Sequence, residues 1–251
     1  MVRDRGLGLS AVEALAALEL NASAAAVDAF TRARSELSLL VRHDPLVGAQ
    51  LVRLAYHDRS GAEAQRALQQ LAPIYARYPE LSRPDFEQFA AAVAVEALGG
   101  PALAFRYGRR EGEAVGEAAG AVAGLSGADY LRAVVLERLG CSERELVALL
   151  GAHVLLASGA RLDHAYFARL LGHTWTEVSD GSGAFEDEAR QWRLSASDVA
   201  LLTDAALKAH VERYARNGDL WLQDFATAFQ RLQERGHRGL RPLHLHVALE
   251  R

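Results

Sequence analysis

The sequence predicts an all-α protein of about ten helices, and three observations carry that prediction. Proline is scarce, six in 251 residues, so few segments are barred from a helix interior. Ala, Leu, Glu and Arg, all strong helix formers, are abundant, while aromatic residues make up only 7%. Clusters of Gly, Pro and Ser interrupt the chain at helix-length intervals. Half of the residues are hydrophobic, enough for a sizeable core in one helical domain over 1–251.

The elements follow in order. Ser10 suits an N-cap for a helix over Ser10–Leu20, and a second helix spans Ser23–Val41, before the His43-Asp44-Pro45 break. Pro45 fits the first turn of a helix through Leu46–His57. After an Arg59-Ser60-Gly61 loop comes a helix over Ala62–Arg77. Ser82-Arg83-Pro84-Asp85 starts the apolar helix Phe86–Leu98, which Gly99-Gly100-Pro101 stops. Gly108–Gly127 is Gly-rich and polar, and is expected to form a long surface loop. Helices then cover Ala128–Leu139 and Ser142–Leu155, the latter opened by a Ser142/Glu145 capping box. Asp163–Leu171 is a short helix, Thr174–Arg193 a loop or small hairpin, and Ser197–Asn217 and Leu220–Arg235 are the last long helices. Beyond Gly236 lies an Arg/His-rich tail over 236–251.

Composition excludes several classes of function. A net charge of −4 without a long basic run gives no electrostatic case for binding nucleic acid or an anionic membrane. The single Cys141 excludes an intramolecular disulfide and a multi-cysteine metal site, and structural packing is its expected role. The longest apolar run, Phe89–Leu98, is broken by Glu96, so no transmembrane segment is expected. The N-terminus lacks the ordered regions of a signal peptide.

Two strings carry chemistry. In Leu51-Val52-Arg53-Leu54-Ala55-Tyr56-His57-Asp58, Arg53 and His57 stand four apart and share one helix face. A base beside a fixed cation is what heterolysis of a peroxide O–O bond requires. On spacing alone the pair is equally an ordinary helix-end pair, His57 being favoured by the dipole. In Glu145-Leu146-Val147-Ala148-Leu149-Leu150-Gly151-Ala152-His153, a histidine ends an apolar helix, where it could ligate a haem iron or sit as a satisfied core residue.

Together, in this order, the strings resemble the distal and proximal motifs of the class I haem peroxidases, the family of ascorbate and cytochrome c peroxidases. Between them, Asp85-Phe86-Glu87-Gln88-Phe89 leading to Gly99-Gly100-Pro101 resembles the family's central helix, and Gly108-Arg109-Arg110-Glu111 its Gly-Arg turn. Asp163-His164-Ala165-Tyr166-Phe167, Leu194-Ser195-Ala196-Ser197-Asp198 and Asp224-Phe225-Ala226-Thr227-Ala228-Phe229 resemble three later segments, so the likeness covers about Leu46–Arg235.

The resemblance implies the two-lobed peroxidase fold, with a distal lobe over about 1–127 and a proximal lobe over about 128–235. It implies haem b as cofactor, hydrogen peroxide as substrate, His57 as distal acid/base and Arg53 as distal cation. Tyr56 would stand over the haem where the family usually has Trp. His153 would be the axial ligand of the haem iron, and Asp198 would accept its Nδ1–H. Plastid and mitochondrion are the compartments it suggests, any targeting peptide lying outside the numbered chain.

The departures are specific. Arg59–Ala62 replaces a long segment that supplies an Asn partner to the distal His. Val154–Leu162 replaces a longer one that carries the proximal Trp, an Arg used for ascorbate and much of a cation site. Of the cation set only Asp163 persists; Val154 lacks the usual hydroxyl, and Trp175 lies in a different segment. Thr174–Arg193 is nearer the cytochrome c peroxidase pattern, so ascorbate specificity has no support and the electron donor stays open. The trimmed loops also allow a second expectation, a haem-free or inactive pseudo-peroxidase serving as a structural or assembly subunit of a larger organellar complex. Among weaker features, His244 and His246 read as a solvated or partner-facing tail segment, and Glu212 and Arg216 as an i,i+4 ion pair.

Overall fold

The structure, a computed structural model, describes residues 6–54, 61–112, 127–157 and 162–244, with side chains except at 6–22, 134, 138 and 153–157. Among these residues ten α-helices dominate, joined by a few short strands, which bears out the all-α expectation.

α1 (Gly6–His43) is a single helix where the sequence suggested two. Neither Gly nor Pro occurs near Asn21, so only a serine cap could have divided it. Ser23 does not cap; its Oγ hydrogen-bonds the Tyr107 hydroxyl at 2.8 Å. Asp44 makes the real break: its Oδ1 accepts from the amides of Leu46 (3.1 Å) and Val47 (3.2 Å) and opens α2 (Pro45–Leu54). α3 (Ala62–Tyr75) carries Pro73 in its last turn.

α4 (Arg83–Ala97) begins at the Ser82 cap, whose Oγ accepts from the Asp85 amide at 3.3 Å. Every residue from Asp85 to Val95 is buried, so this helix is the centre of its half, packed on α1, α2 and α3. Glu96, the charge that interrupts its apolar run, is paired with Arg34 of α1 at 2.5 Å. Phe30 of α1, Phe89 of α4, Phe105 and Tyr107 form an edge-on aromatic cluster with centroids 4.8–5.7 Å apart. Each buried Phe of this kind contributes about 1.5–3 kcal/mol.

The expected surface loop from Gly108 does not begin at the surface. β1 (Arg106–Tyr107) pairs antiparallel with β5 (Arg241–Pro242), drawing part of the tail onto the fold. Gly108, at φ +119°, then turns the chain inward so that Arg109 is 2% exposed. Its Nη1 lies 2.9 Å from Asp85 Oδ1, and its Nε and Nη2 donate to the Gln233 carbonyl at 3.2 and 2.8 Å. Polar residues here mark a buried hub, which composition cannot distinguish from a loop.

In the second half, α5 (Gly127–Tyr130) runs into a π-helix (Leu131–Arg138). α6 (Glu143–Ala157) opens with the expected capping box: Glu145 Oε2 accepts from the Ser142 amide at 2.7 Å. α7 (Ala165–Gly172) follows, led by Asp163, whose Oδ1 accepts from the Ala165 amide at 2.8 Å. The segment expected as a loop or hairpin is a three-stranded antiparallel sheet of β2 (Thr176–Glu177), β3 (Ala184–Glu186) and β4 (Arg193–Ser195).

The predicted helix Ser197–Asn217 is in fact α8 (Ala196–Thr203) and α9 (Ala205–Arg216). Asp204 divides them, its Oδ1 accepting from the amides of Ala206 (2.9 Å) and Leu207 (3.4 Å). The Glu212–Arg216 pair does form, at 3.8 Å on an exposed face. α10 (Gly218–Glu234) packs on α6 through Trp221, fully buried, whose Nε1 donates to the Ala148 carbonyl at 3.0 Å. Among the described residues no helix is long and apolar enough to cross a membrane.

The buried Asp85–Arg109 pair generates a stability prediction. Removing one partner strands the other charge in the core, so Asp85→Ala should cost about 3–5 kcal/mol. Urea unfolding followed by far-ultraviolet circular dichroism measures it, and a loss within 1 kcal/mol (roughly the worth of an exposed pair) contradicts the hub role.

Candidate active site

Arg53 lies in the last turn of α2, its side chain 27% exposed. Packing of α2 on α4 through Val47, Leu51 and Val52 fixes the helix and leaves Arg53 on its more open face. Its Nη1 stands 3.6 Å from Oε2 of Glu63, which also accepts from Gln50 Nε2 at 2.9 Å. Tyr56 and His57, the other expected distal residues, lie outside the described residues.

His153 lies within α6, and its side chain is likewise outside the description. The preceding turn is well fixed. A Cβ at Gly151 would run into the Phe167 ring, so only glycine lets α6 and α7 approach this closely. Phe167 itself packs edge-on against Trp221, the indole that anchors Ala148.

Asp198 sits in the first turn of α8 and is 4% exposed. Its Oδ2 accepts from the Ser195 amide (2.9 Å) and Ser195 Oγ (2.6 Å), while Ser195 Oγ accepts from the Asp198 amide at 3.3 Å. This reciprocal pair is a capping box. Among the described side chains Oδ1 accepts from the Tyr166 hydroxyl at 2.9 Å, and a carboxylate oxygen has two acceptor positions. Burial pushes the Asp198 carboxyl above its ordinary value, against the pull of its hydrogen bonds. Burial also raises Tyr166 well above the usual phenol value, so it stays a donor at neutral pH.

Between these regions lies an open cavity of about 970 Å³. Gln50, Arg53, Leu54 and Glu63 form one wall; Phe185 and Leu194–Ser197, the segment running into Asp198, form the other. Arg53 is thus brought to the same space as the approach to Asp198. Asp163 Oδ1 is taken by the Ala165 amide and Trp175 donates its Nε1 to the Leu170 carbonyl at 3.0 Å, and neither lines the cavity. Cys141 is buried, and burial pushes its thiol up to about 11, consistent with the packing role expected for it.

Sequence reasoning assigned no role to Tyr166, Ser195 or Glu63. Ser195-x-x-Asp198 does carry the capping-box pattern and could have been read as one. Nothing in the sequence signals that Tyr166 meets Asp198, a contact 32 positions apart.

The described residues thus form a helical fold in which Arg53 lines a cavity whose other wall runs into the buried Asp198. A family model described as "Peroxidase" matches residues 59–160. The cytosolic L-ascorbate peroxidase 1 of Oryza sativa subsp. japonica is 32% identical over 184 residues, covering 68% of this chain and 68% of the relative. The mitochondrial cytochrome c peroxidase of Aspergillus fumigatus is 30% identical over 184 residues, covering 66% of this chain and 50% of the relative. The chain belongs to the class I peroxidase family, as the motifs of the sequence implied.

Tyr166→Phe removes a side-chain donor to Asp198 Oδ1 while keeping the ring. The expected loss is about 1.5–3 kcal/mol, as for a hydrogen bond to a charged group. Denaturant titration at pH 7 tests this, and an unchanged midpoint contradicts the claim that the phenol supports the carboxylate.

Proposed function

We propose that this protein is a haem peroxidase, reducing hydrogen peroxide to water with electrons from a separate donor. What supports this reading is one arrangement: Arg53, a half-buried cation, borders the cavity whose opposite wall leads directly into the buried Asp198. The site suits haem b on its own terms. Its volume of about 970 Å³ is within the range of small-molecule sites. Leu54, Phe185 and Leu194 offer apolar surface for a porphyrin, and Asp198 Oδ1, an acceptor able to take more than the Tyr166 bond, suits an imidazole N–H.

His153 would hold the iron through one ring nitrogen and donate its other N–H to Asp198, which makes the imidazole more basic. When bound, haem supplies the redox-active iron at which the O–O bond is broken. His57 would take the proton from one peroxide oxygen and return it to the departing one, and Tyr56 would pack beside it. Arg53 would stabilise the negative charge on the departing oxygen. The balance needs two electrons and two further protons per peroxide, giving two waters. The electrons come from the donor, and the residues used for ascorbate in the family are not retained here.

The Arg53–Glu63 approach favours a second reading. A carboxylate 3.6 Å from the guanidinium offsets part of the charge that the reaction needs. A haem-free pseudo-peroxidase, kept as a structural or assembly subunit of a larger complex, would bear that compromise at no cost.

An absorption spectrum separates the two. The native or haem-reconstituted protein should show a Soret band that shifts on adding peroxide, and His153→Ala should abolish it. Arg53→Leu should keep the band but slow the peroxide-dependent shift by about 10²–10³-fold, as for loss of one charge-stabilising donor. Absence of haem uptake, or a band indifferent to peroxide, overturns the enzyme reading in favour of the structural one.

A further inference from the structure

α7 ends at His173, far in sequence from Arg53, where extended backbone (φ −124°, ψ 155°) leads towards β2. His173 Nδ1 lies 3.7 Å from Asp187 Oδ2 and 3.8 Å from Glu188 Oε2. The three side chains each offer a ligand atom, all within 4.8 Å of one another.

The second oxygen of each carboxylate is already committed. Asp187 Oδ1 accepts from the amides of Gln191 (2.8 Å) and Trp192 (2.7 Å), and Glu188 Oε1 accepts from the Thr174 amide (3.0 Å). These bonds orient both carboxylates and leave Oδ2 and Oε2 towards the imidazole. The Asp187 side chain is 1% exposed, and its Oδ2 is buried without a hydrogen-bond partner. A buried carboxylate oxygen in that state is costly unless a cation meets it. The 3.7 Å approach of His173 is too long for a hydrogen bond. It is close to the spacing of about 3.4 Å between ligand atoms arranged tetrahedrally around zinc.

We propose that His173, Asp187 and Glu188 bind a divalent first-row transition-metal ion, with zinc the best match. One imidazole nitrogen and two carboxylate oxygens form an N/O set suited to zinc, and the two negative charges balance the ion. Calcium and magnesium favour six or more oxygen ligands and suit it poorly. Glu188, with a side chain 60% exposed, leaves the fourth position open to solvent. The ion joins the end of α7, which carries Tyr166, to the stretch between β3 and β4, and β4 ends at Ser195. Tyr166 and Ser195, which each hydrogen-bond the Asp198 carboxylate, are therefore tied to one centre.

The test is zinc competition against a chromogenic chelator, on the full chain after chelator treatment, with thermal melts alongside. Wild type should bind one tight equivalent, and its melting temperature should rise with zinc concentration. His173→Ala and Glu188→Gln should each weaken zinc by about 100-fold, the upper end of what loss of a mere supporting contact costs. Glu188 is exposed, so its variant folds even if the other does not. Replacing both His244 and His246 by Ala should leave that equivalent in place. The proposal is overturned if wild type binds no zinc, if Glu188→Gln binds it unchanged, if the tail replacement removes the equivalent, or if calcium competes equally. None of these readouts depends on haem, so they stand or fall apart from the peroxidase reading.

Discussion

The fold depends on a buried ion pair. Asp85 and Arg109 are 6% and 1% exposed in their side chains, and each would pay several kcal/mol to leave water alone. They are tolerated because both carboxylate oxygens and all three guanidinium nitrogens are hydrogen-bonded. Asp85 takes the amides of Gly108 (2.7 Å) and Arg109 (3.2 Å) as well as the guanidinium, and Arg109 also donates to the backbone carbonyls of Arg106 and Gln233. Burial lowers the Arg109 pKa, and the Asp85 carboxylate opposes that shift.

Its position explains why such a costly device is kept. Asp85 lies on α4 and Gln233 on α10, and Gln233 Nε2 also donates to the Gln88 carbonyl of α4 at 2.7 Å. α4 supports α2, which bears Arg53; α10 supports α6, which bears His153. The network therefore couples the two helices on which the proposed chemistry rests. Hydrophobic contacts alone would allow them to slide, since burial is not directional. Hydrogen bonds with fixed geometry set the distance.

How much of this was legible in the sequence follows from the range of each interaction. Local devices were readable: the Ser142/Glu145 capping box, the Ser82 start of α4 and the i,i+4 pair of Glu212 and Arg216 all appear as expected. Asp204 was missed although its cap is local, because an Asp inside an apolar-periodic run looks like a solvated helix position until its amides are seen. Arg109 was misplaced for the opposite reason. Gly and charge predict a surface loop by composition, and only a partner 24 positions away reverses that. At the candidate site, Arg53 and Asp198 were singled out through motif order; Arg53 lines the cavity, and Asp198 follows Leu194–Ser197, which line its other wall. Tyr56, His57 and the His153 side chain rest on motif order alone.

Asp198 shows how a structural role and a chemical one coexist in one carboxylate. Its Oδ2 closes a capping box that α8 needs whatever occupies the cavity, so the residue would persist in a haem-free relative for stability alone. Its presence therefore separates the two functional readings poorly. Oδ1 is the more telling atom. Tyr166, held protonated by burial, supplies one bond to an oxygen with two acceptor positions, in a carboxyl whose pKa burial raises. An imidazole N–H donated to the same oxygen would favour the ionised form and make the ring more basic. At this residue the chemical reading thus bears on Oδ1, and the capping reading on Oδ2.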